Sequence, residues 1–304
     1  MLRGYLQKLL TVGELESRLS KHTVRSVTSG QEDNWLRIYN SSIALPSECA
    51  PLSARDIDSL AQNRLLSLEN LLVAYRGRTP SAACRLVIDP ASSSVLMCDL
   101  GSLPGRPEGA RDLIDHVITQ AREMRIARVG VWVDGSSESL ANLVSSFSFD
   151  VRRVRVRMDC TMMSAPERTA ASPTSRFSHL TDGRPLSESD LEGRTTMHDL
   201  IEYNEMMWRE SERLTTGQAV VSAYTSEKSR TTAWMLTRGQ NPANQDTFNI
   251  EERDLLALMT RLYERRVRHI RAETVPEYAV RRVFSSVGFE PKKSCFLLGL
   301  ELLY

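Results

Sequence analysis

The chain has 304 residues, of which 41% are hydrophobic and 25% charged, and its formal net charge is +1. That length and composition can bury two cores of ordinary size and exclude a disordered chain, while near-neutrality removes any global pull toward nucleic acid or acidic membranes. No apolar run reaches the roughly 20 residues a membrane span requires, so no membrane partner is expected.

The first 21 residues place Leu2, Leu6, Leu9, Leu10, Leu15 and Leu19 among scattered charges, which predicts an amphipathic helix packing on a domain or a partner. From residue 22 to 160 the pattern predicts a strand at Thr23–Thr28, a helix over Asn34–Ser41, and strands at Leu71–Tyr75, Ala83–Ile88 and Val95–Leu100. A helix over 109–127 follows, with Leu113, Ile114, Val117, Ile118 and Ala121 on one face, and then a strand from Arg128 to Val133. Residues 161–175, rich in Ser, Thr and Pro, predict a flexible or extended linker. From 176 to 304 the order returns: strand 176–179, helix His198–Met207, strands 219–224 and 231–236, a weak strand near 247–250, helix 252–267 and strand 269–275.

Within that order one motif recurs. Leu-Val-Ser-Ser-Phe-Ser-Phe-Asp at 143–150 returns as Val-Phe-Ser-Ser-Val-Gly-Phe-Glu at 283–290, each preceded by a strand-like run and followed by a strand opening on a basic pair. Helix, strand, short helix, Phe, strand therefore occurs twice in register, a domain length apart, as in a tandem duplication. The five cysteines, Cys49, Cys84, Cys98, Cys160 and Cys295, are odd in number and lack Cys-x-x-Cys spacing, which suits a reducing cytoplasm. The five histidines show no metal-ligand spacing, which argues against a zinc site.

The order of elements resembles the GCN5-related N-acetyltransferase (GNAT) superfamily, and two copies in one chain resemble its tandem members, of the mycothiol synthase type. The resemblance implies a mixed α/β sheet in two acetyltransferase-like domains, the second degenerate, with acetyl-CoA as cofactor. A pyrophosphate is held where backbone N–H groups converge at a helix N-terminus. In the first copy, Leu103, Arg106, Pro107, Glu108, Gly109, Ala110 and Arg111 stand at the place of the family's Arg/Gln-x-x-Gly-x-Gly/Ala turn, with Arg111 where the second small residue is expected. In the second copy the corresponding helix opens with Glu251, Glu252 and Asp254, good dipole partners and poor neighbours for a phosphate. The position of the family's proton-donating tyrosine is held by Val144 and Phe284. Asp99 is the one carboxylate on the strand before the first turn and the candidate general base, although strand alternation more often turns such a residue to solvent.

Two further patterns stand out. Val151-Arg-Arg-Val-Arg-Val-Arg157 gives a strand one apolar and one cationic face, an arrangement ordinary on exposed strands and only weakly suggestive of nucleic acid. Tyr203, Met206, Met207 and Trp208 form an apolar stripe at helical spacing. The sequence thus supports an acyl-CoA-dependent N-acyltransferase using a small-molecule or peptide amine, with a homodimer or protein partner open, and, as the alternative, a non-catalytic binding or scaffold protein of the same fold.

Overall fold

The computed structural model describes residues 22–42, 51–63, 65–89, 92–134, 144–166, 170–181, 183–186, 196–240 and 249–302, without the side chains of residues 203–205. The amphipathic segment 1–21, Cys49, the side chain of Tyr203 and most of the weak strand near 247–250 lie outside those residues; Asn249 and Ile250 are not in a strand.

In chain order the elements are β1 (Thr23–Ser26), α1 (Asp33–Ser42), α2 (Ala54–Gln62), β2 (Leu71–Arg76), β3 (Thr79–Asp89), β4 (Ser94–Ser102), α3 (Pro107–Glu123), β5 (Arg128–Asp134) and β6 (Asp150–Thr161). They continue with β7 (Arg176–His179), α4 (Met197–Met206), β8 (Arg209–Thr215), β9 (Ala219–Thr225), β10 (Thr232–Gly239), α5 (Glu252–Glu264), β11 (His269–Thr274), α6 (Tyr278–Ser286) and β12 (Glu290–Glu301). Strand and helix periodicity located most of these. It missed β8, whose sequence Arg-Glu-Ser-Glu-Arg-Leu-Thr has no apolar alternation. Glu210 and Glu212 are nonetheless buried there, because Arg213 lies 2.6 Å from Glu210 and Arg261 and Arg265 lie 2.9 and 2.8 Å from Glu212.

All twelve strands join one mixed sheet in the order β1-β2-β3-β4-β5-β12-β6-β11-β10-β9-β8-β7. The order reverses sequence at its centre. β12, the last strand of the second half, pairs antiparallel with β5 of the first, and β6, the last strand of the first half, pairs antiparallel with β11 of the second. β6 and β12 also pair with each other, from Glu290↔Asp159 to Gly299↔Asp150. Each half therefore lends its final strand to the other.

One face of the sheet carries α3 over a core that includes Leu113, Ile114, Val117, Val131 and Phe149, and α5 with α6 over a second that includes Leu255, Leu258, Phe284 and Phe289. Phe296, against the first core, is the register partner of Val154, two residues before Val156 of the second, so this face is continuous across the centre. On the opposite face α1 and α2 pack Trp35, Ile38, Tyr39, Ile57 and Leu60 together with Met197 and Leu200 of α4, so a helix of the second half completes a core of the first. Trp208, Tyr224, Trp234 and Leu236 form a smaller cluster. Trp208 belongs to that cluster from a position beyond the end of α4, and Met207, at φ 50°, is 62% exposed; the expected apolar stripe is broken by the end of the helix.

The cationic face of β6 is not a solvated edge. The strand is central, Arg155 is buried, and Arg157 is half-buried and paired with Asp199 of the second half. Proteolytic cleavage at an engineered site between the exposed Ser164 and Ala165 is expected to leave two fragments that co-elute in size-exclusion chromatography and part only in denaturant, because each holds a central strand of the other's sheet; separation in native buffer would contradict the exchange.

Candidate functional site

The sheet is asymmetric where the parallel strands meet. β4 and β5 pair only from Ser94↔Arg128 to Met97↔Val131, while β4 continues to Ser102 and β5 to Asp134, so the strands diverge beyond Met97 and Val131. At the point of divergence the β3–β4 register slips between Ala83↔Gly101 and Arg85↔Cys98, which makes Asp99 part of a β-bulge with a left-handed φ of 50°. In the second half, β10 and β11 stay paired from Thr232↔His269 to Leu236↔Glu273, the Thr237 hydroxyl then donates to the Glu273 carbonyl at 2.8 Å, and the β9–β10 register is unbroken. Among the described residues, then, the β4–β5 ladder ends one step earlier than the β10–β11 ladder, and only the former ends beside a bulge in the adjoining β3–β4 pair.

The bulge corrects the expectation that Asp99 faces solvent. Its side chain is 2% exposed and accepts a hydrogen bond from Arg85 Nε at 2.8 Å, and the Arg85 side chain is equally buried. Burial raises the Asp99 pKa above the ordinary carboxylate value, against the lowering effect of Arg85 and of a hydrogen bond from the backbone N–H of Met197. Tyr39 lies beside it. Its ring stacks between Trp35 and His198, with centroids 5.0 and 5.5 Å away, and its hydroxyl is 2.9 Å from His198 Nδ1. Burial, followed by the Asp99 charge, pushes its pKa upward, so the phenol keeps its proton.

Met197 and His198 belong to the first turn of α4, brought from the second half. That turn is fixed by a capping box in which the Thr196 N–H and hydroxyl both donate to Asp199 Oδ2 at 3.0 Å and the Asp199 N–H donates to Thr196 Oγ1 at 3.3 Å. Arg157 donates to both Asp199 oxygens, at 3.3 and 3.1 Å, reaches Glu273 at 3.4 Å, and lies 5.1 Å from the Trp234 ring centroid. Although burial acts the other way, Arg157, with Lys293, holds the Asp199 carboxyl well below the usual range. At matching steps past Arg128 and His269, Trp132 pairs with Leu297 in the first half and Glu273 pairs with Arg157 in the second, so apolar and ionic contacts occupy related places.

The expected phosphate turn is shorter than its sequence suggested. α3 opens at Pro107, whose fixed φ suits the first helical position, so residues 107–111 lie in the helix and the connection is only Leu103 to Arg106. The Leu103 N–H donates to the Ser81 carbonyl at 2.8 Å, and Arg106 donates to the Pro80 carbonyl at 3.4 Å. Pro107 has no N–H, and the Gly109 N–H is taken by the Arg106 carbonyl at 3.3 Å. Gly109 and Ala110 are buried against β3; a Cβ on Gly109 would stand 2.5 Å from Ser81 Oγ and 2.9 Å from its Cβ. That glycine serves helix-to-sheet packing. Glu108 and Arg111 are exposed, and the Arg111 guanidinium lies 5.9 Å from the Phe147 ring centroid.

Val144 and Phe284, at the expected tyrosine positions, are fully buried in the two cores. Sequence reasoning overlooked Arg85, Tyr39, Met197, His198 and Asp199. Arg85 carried a signal, a lone charge within the apolar run from Ala82 to Ile88, whereas nothing local links Tyr39 to a histidine in the other half. Among the described residues no cluster of His, Cys, Asp and Glu could hold a metal, and no helix is long and apolar enough to cross a membrane.

No protein-family model matches the chain, and no curated protein matches it. Solved structures do. A GCN5-related N-acetyltransferase from Sphaerobacter thermophilus aligns over 93% of this chain and 96% of its own at a TM-score of 0.59 and 13% identity. A tandem GNAT protein from the clavulanic acid biosynthesis pathway aligns over 92% of this chain and 98% of its own at 0.56 and 13%. The chain has the GNAT fold in tandem. Within that fold β4 and β5 part beside the Asp99 bulge, whereas β10 and β11 stay paired one step further and the β9–β10 register is unbroken.

Gly109→Ala is expected to destabilise the protein by about 1–3 kcal/mol in denaturant unfolding, because neither Ser81 nor the helix can retreat without repacking α3. Asp199→Asn is expected to cost about 2–3 kcal/mol at neutral pH. Since the folded-state pKa of Asp199 is depressed, its contribution is fully present above about pH 4 and is lost as pH falls below that toward the depressed folded value, so the gap between variant and wild type should narrow in strong acid. A gap independent of pH would remove this role.

Proposed function

We propose that the protein is an acyl-CoA-dependent N-acyltransferase acting on a small-molecule or peptide amine, with its site in the first half. The observation that carries this reading is the parting of β4 and β5 at the Asp99 bulge, the place we assign to an extended thioester arm, whereas β10 and β11 stay paired one step further and are then bridged by the Thr237 hydroxyl. Acyl-CoA supplies an activated acyl thioester. The residues fit it by side chains more than by backbone amides: Arg111, exposed on the early part of α3, would hold the diphosphate that Pro107 and Gly109 have few free N–H groups to bind.

Asp99 holds or takes the proton of the attacking amine. Its raised pKa brings it nearer the value a base needs, Arg85 fixes the direction of its oxygens, and the Met197 N–H orients it from the other half. Tyr39 and His198 bring a protonated phenol and an imidazole beside Asp99. The second half then acts as a positioning element through α4. A non-catalytic binding protein is the competing reading, supported by the spent Gly109 N–H, the buried Val144 and Phe284, and the closure of Asp99 by its two partners.

Calorimetric titration with acetyl-CoA, paired with an acetyl-transfer assay over a panel of amines, separates them. Arg111→Glu is expected to weaken cofactor binding about tenfold. Asp99→Asn should lower kcat by about 10²–10⁴ with little change in cofactor affinity, and should abolish a rise of activity with pH whose midpoint lies above the ordinary carboxylate value. Absence of binding at millimolar acetyl-CoA would favour the non-catalytic reading.

A further inference from the structure

A concavity of about 340 Å³ opens on the Asp99 side of the sheet at its outer edge, between the end of the β2–β3 hairpin, β1 and the start of α1. Arg25 and Tyr75 face it because their neighbours Val24 and Ala74 belong to the core on the other face. Two exposed guanidinium groups, Arg25 and Arg78, line it with the amides of Gln31 and Asn34, the Ser26 hydroxyl and the Tyr75 phenol. No carboxylate is among these lining residues, and neither arginine makes an ion pair among the described residues.

The local chemistry is arranged for donation. Arg25 lies 5.9 Å from the Tyr75 ring centroid, and Asn34 Nδ2 donates to the Tyr75 hydroxyl at 3.3 Å, which leaves the phenolic proton to be given elsewhere. Glu32, the buried carboxylate nearest in sequence, accepts from the Gly30 N–H at 2.9 Å and does not line the space. Two like charges directed into one hollow repel each other unless an anion stands between them, and planar guanidinium forks match the two oxygens of a carboxylate or a phosphate.

We propose that this pocket is a binding site for a small oxyanion-bearing molecule, held by Arg25 and Arg78 and oriented by Tyr75. The site lies at β1 and β2, separated by β3 from the strands β4 and β5 that part at Asp99, and its existence does not depend on acyl transfer. The test titrates the full chain by calorimetry with inorganic phosphate and, separately, with succinate, at low and constant chloride. Saturable one-to-one binding is expected. The Arg25→Gln/Arg78→Gln double variant should weaken it by about tenfold or more and Tyr75→Phe by severalfold, while Arg153→Gln, in a different groove of the same face, leaves it unchanged. Tighter succinate binding assigns a carboxylate ligand and tighter phosphate binding a phosphoryl ligand, and either supports the site. Absence of saturable binding of both anions, or equal affinity in the double variant with a wild-type melting temperature, overturns it.

Discussion

The antiparallel ladder between β6 and β12 is the contact on which the rest of the molecule depends, since each of these strands stands between its partner and a sheet made by the other half. A central strand satisfies its backbone donors and acceptors on both sides. Removing either would expose an edge in the half that did not encode it. The exchange also carries side chains across: Arg157, encoded in the first half, meets Asp199, Glu273 and Trp234 of the second, and Leu297 of the second meets Trp132 of the first.

The same exchange brings α4 over the first half. With β6 seated against β11, Arg157 anchors Asp199, Asp199 caps the first turn of α4, and that turn delivers the Met197 N–H and the His198 ring to Asp99 and Tyr39. The candidate site is therefore built from both halves although its parting strands belong to one. The two halves share a skeleton and differ at this place: β10 and β11 are paired one step further than β4 and β5 and are bridged by the Thr237 hydroxyl.

Much of the architecture was legible because periodicity reports burial. α3 and α5 showed their core faces as apolar residues at helical spacing, and the repeated Ser-Ser with its following Phe located both last strands. β8 was illegible because buried Glu210 and Glu212 are compensated by arginines remote in sequence, and the start of α3 was misjudged because Pro107 and Glu108 resemble loop residues while also suiting a first helical turn. Gly109 shows the limit of reading a motif: its type matched a phosphate turn, but its neighbour in space is Ser81.

By itself the sequence determined most of the element order, the recurrence of Ser-Ser with its following Phe, the Val144 and Phe284 that precede it and the acidic opening of α5, because each is a property of a residue type and its spacing along the chain. The tertiary structure alone decided that the last strands trade places, that Asp99 turns inward at a bulge to meet Arg85, and that Arg155 of β6 is buried while Arg157 meets Asp199 of the second half, because these depend on which strand lies beside which. Strand alternation fixes that a side chain points to one face or the other; whether that face meets water or a helix from the other half is settled only when the sheet closes across its centre.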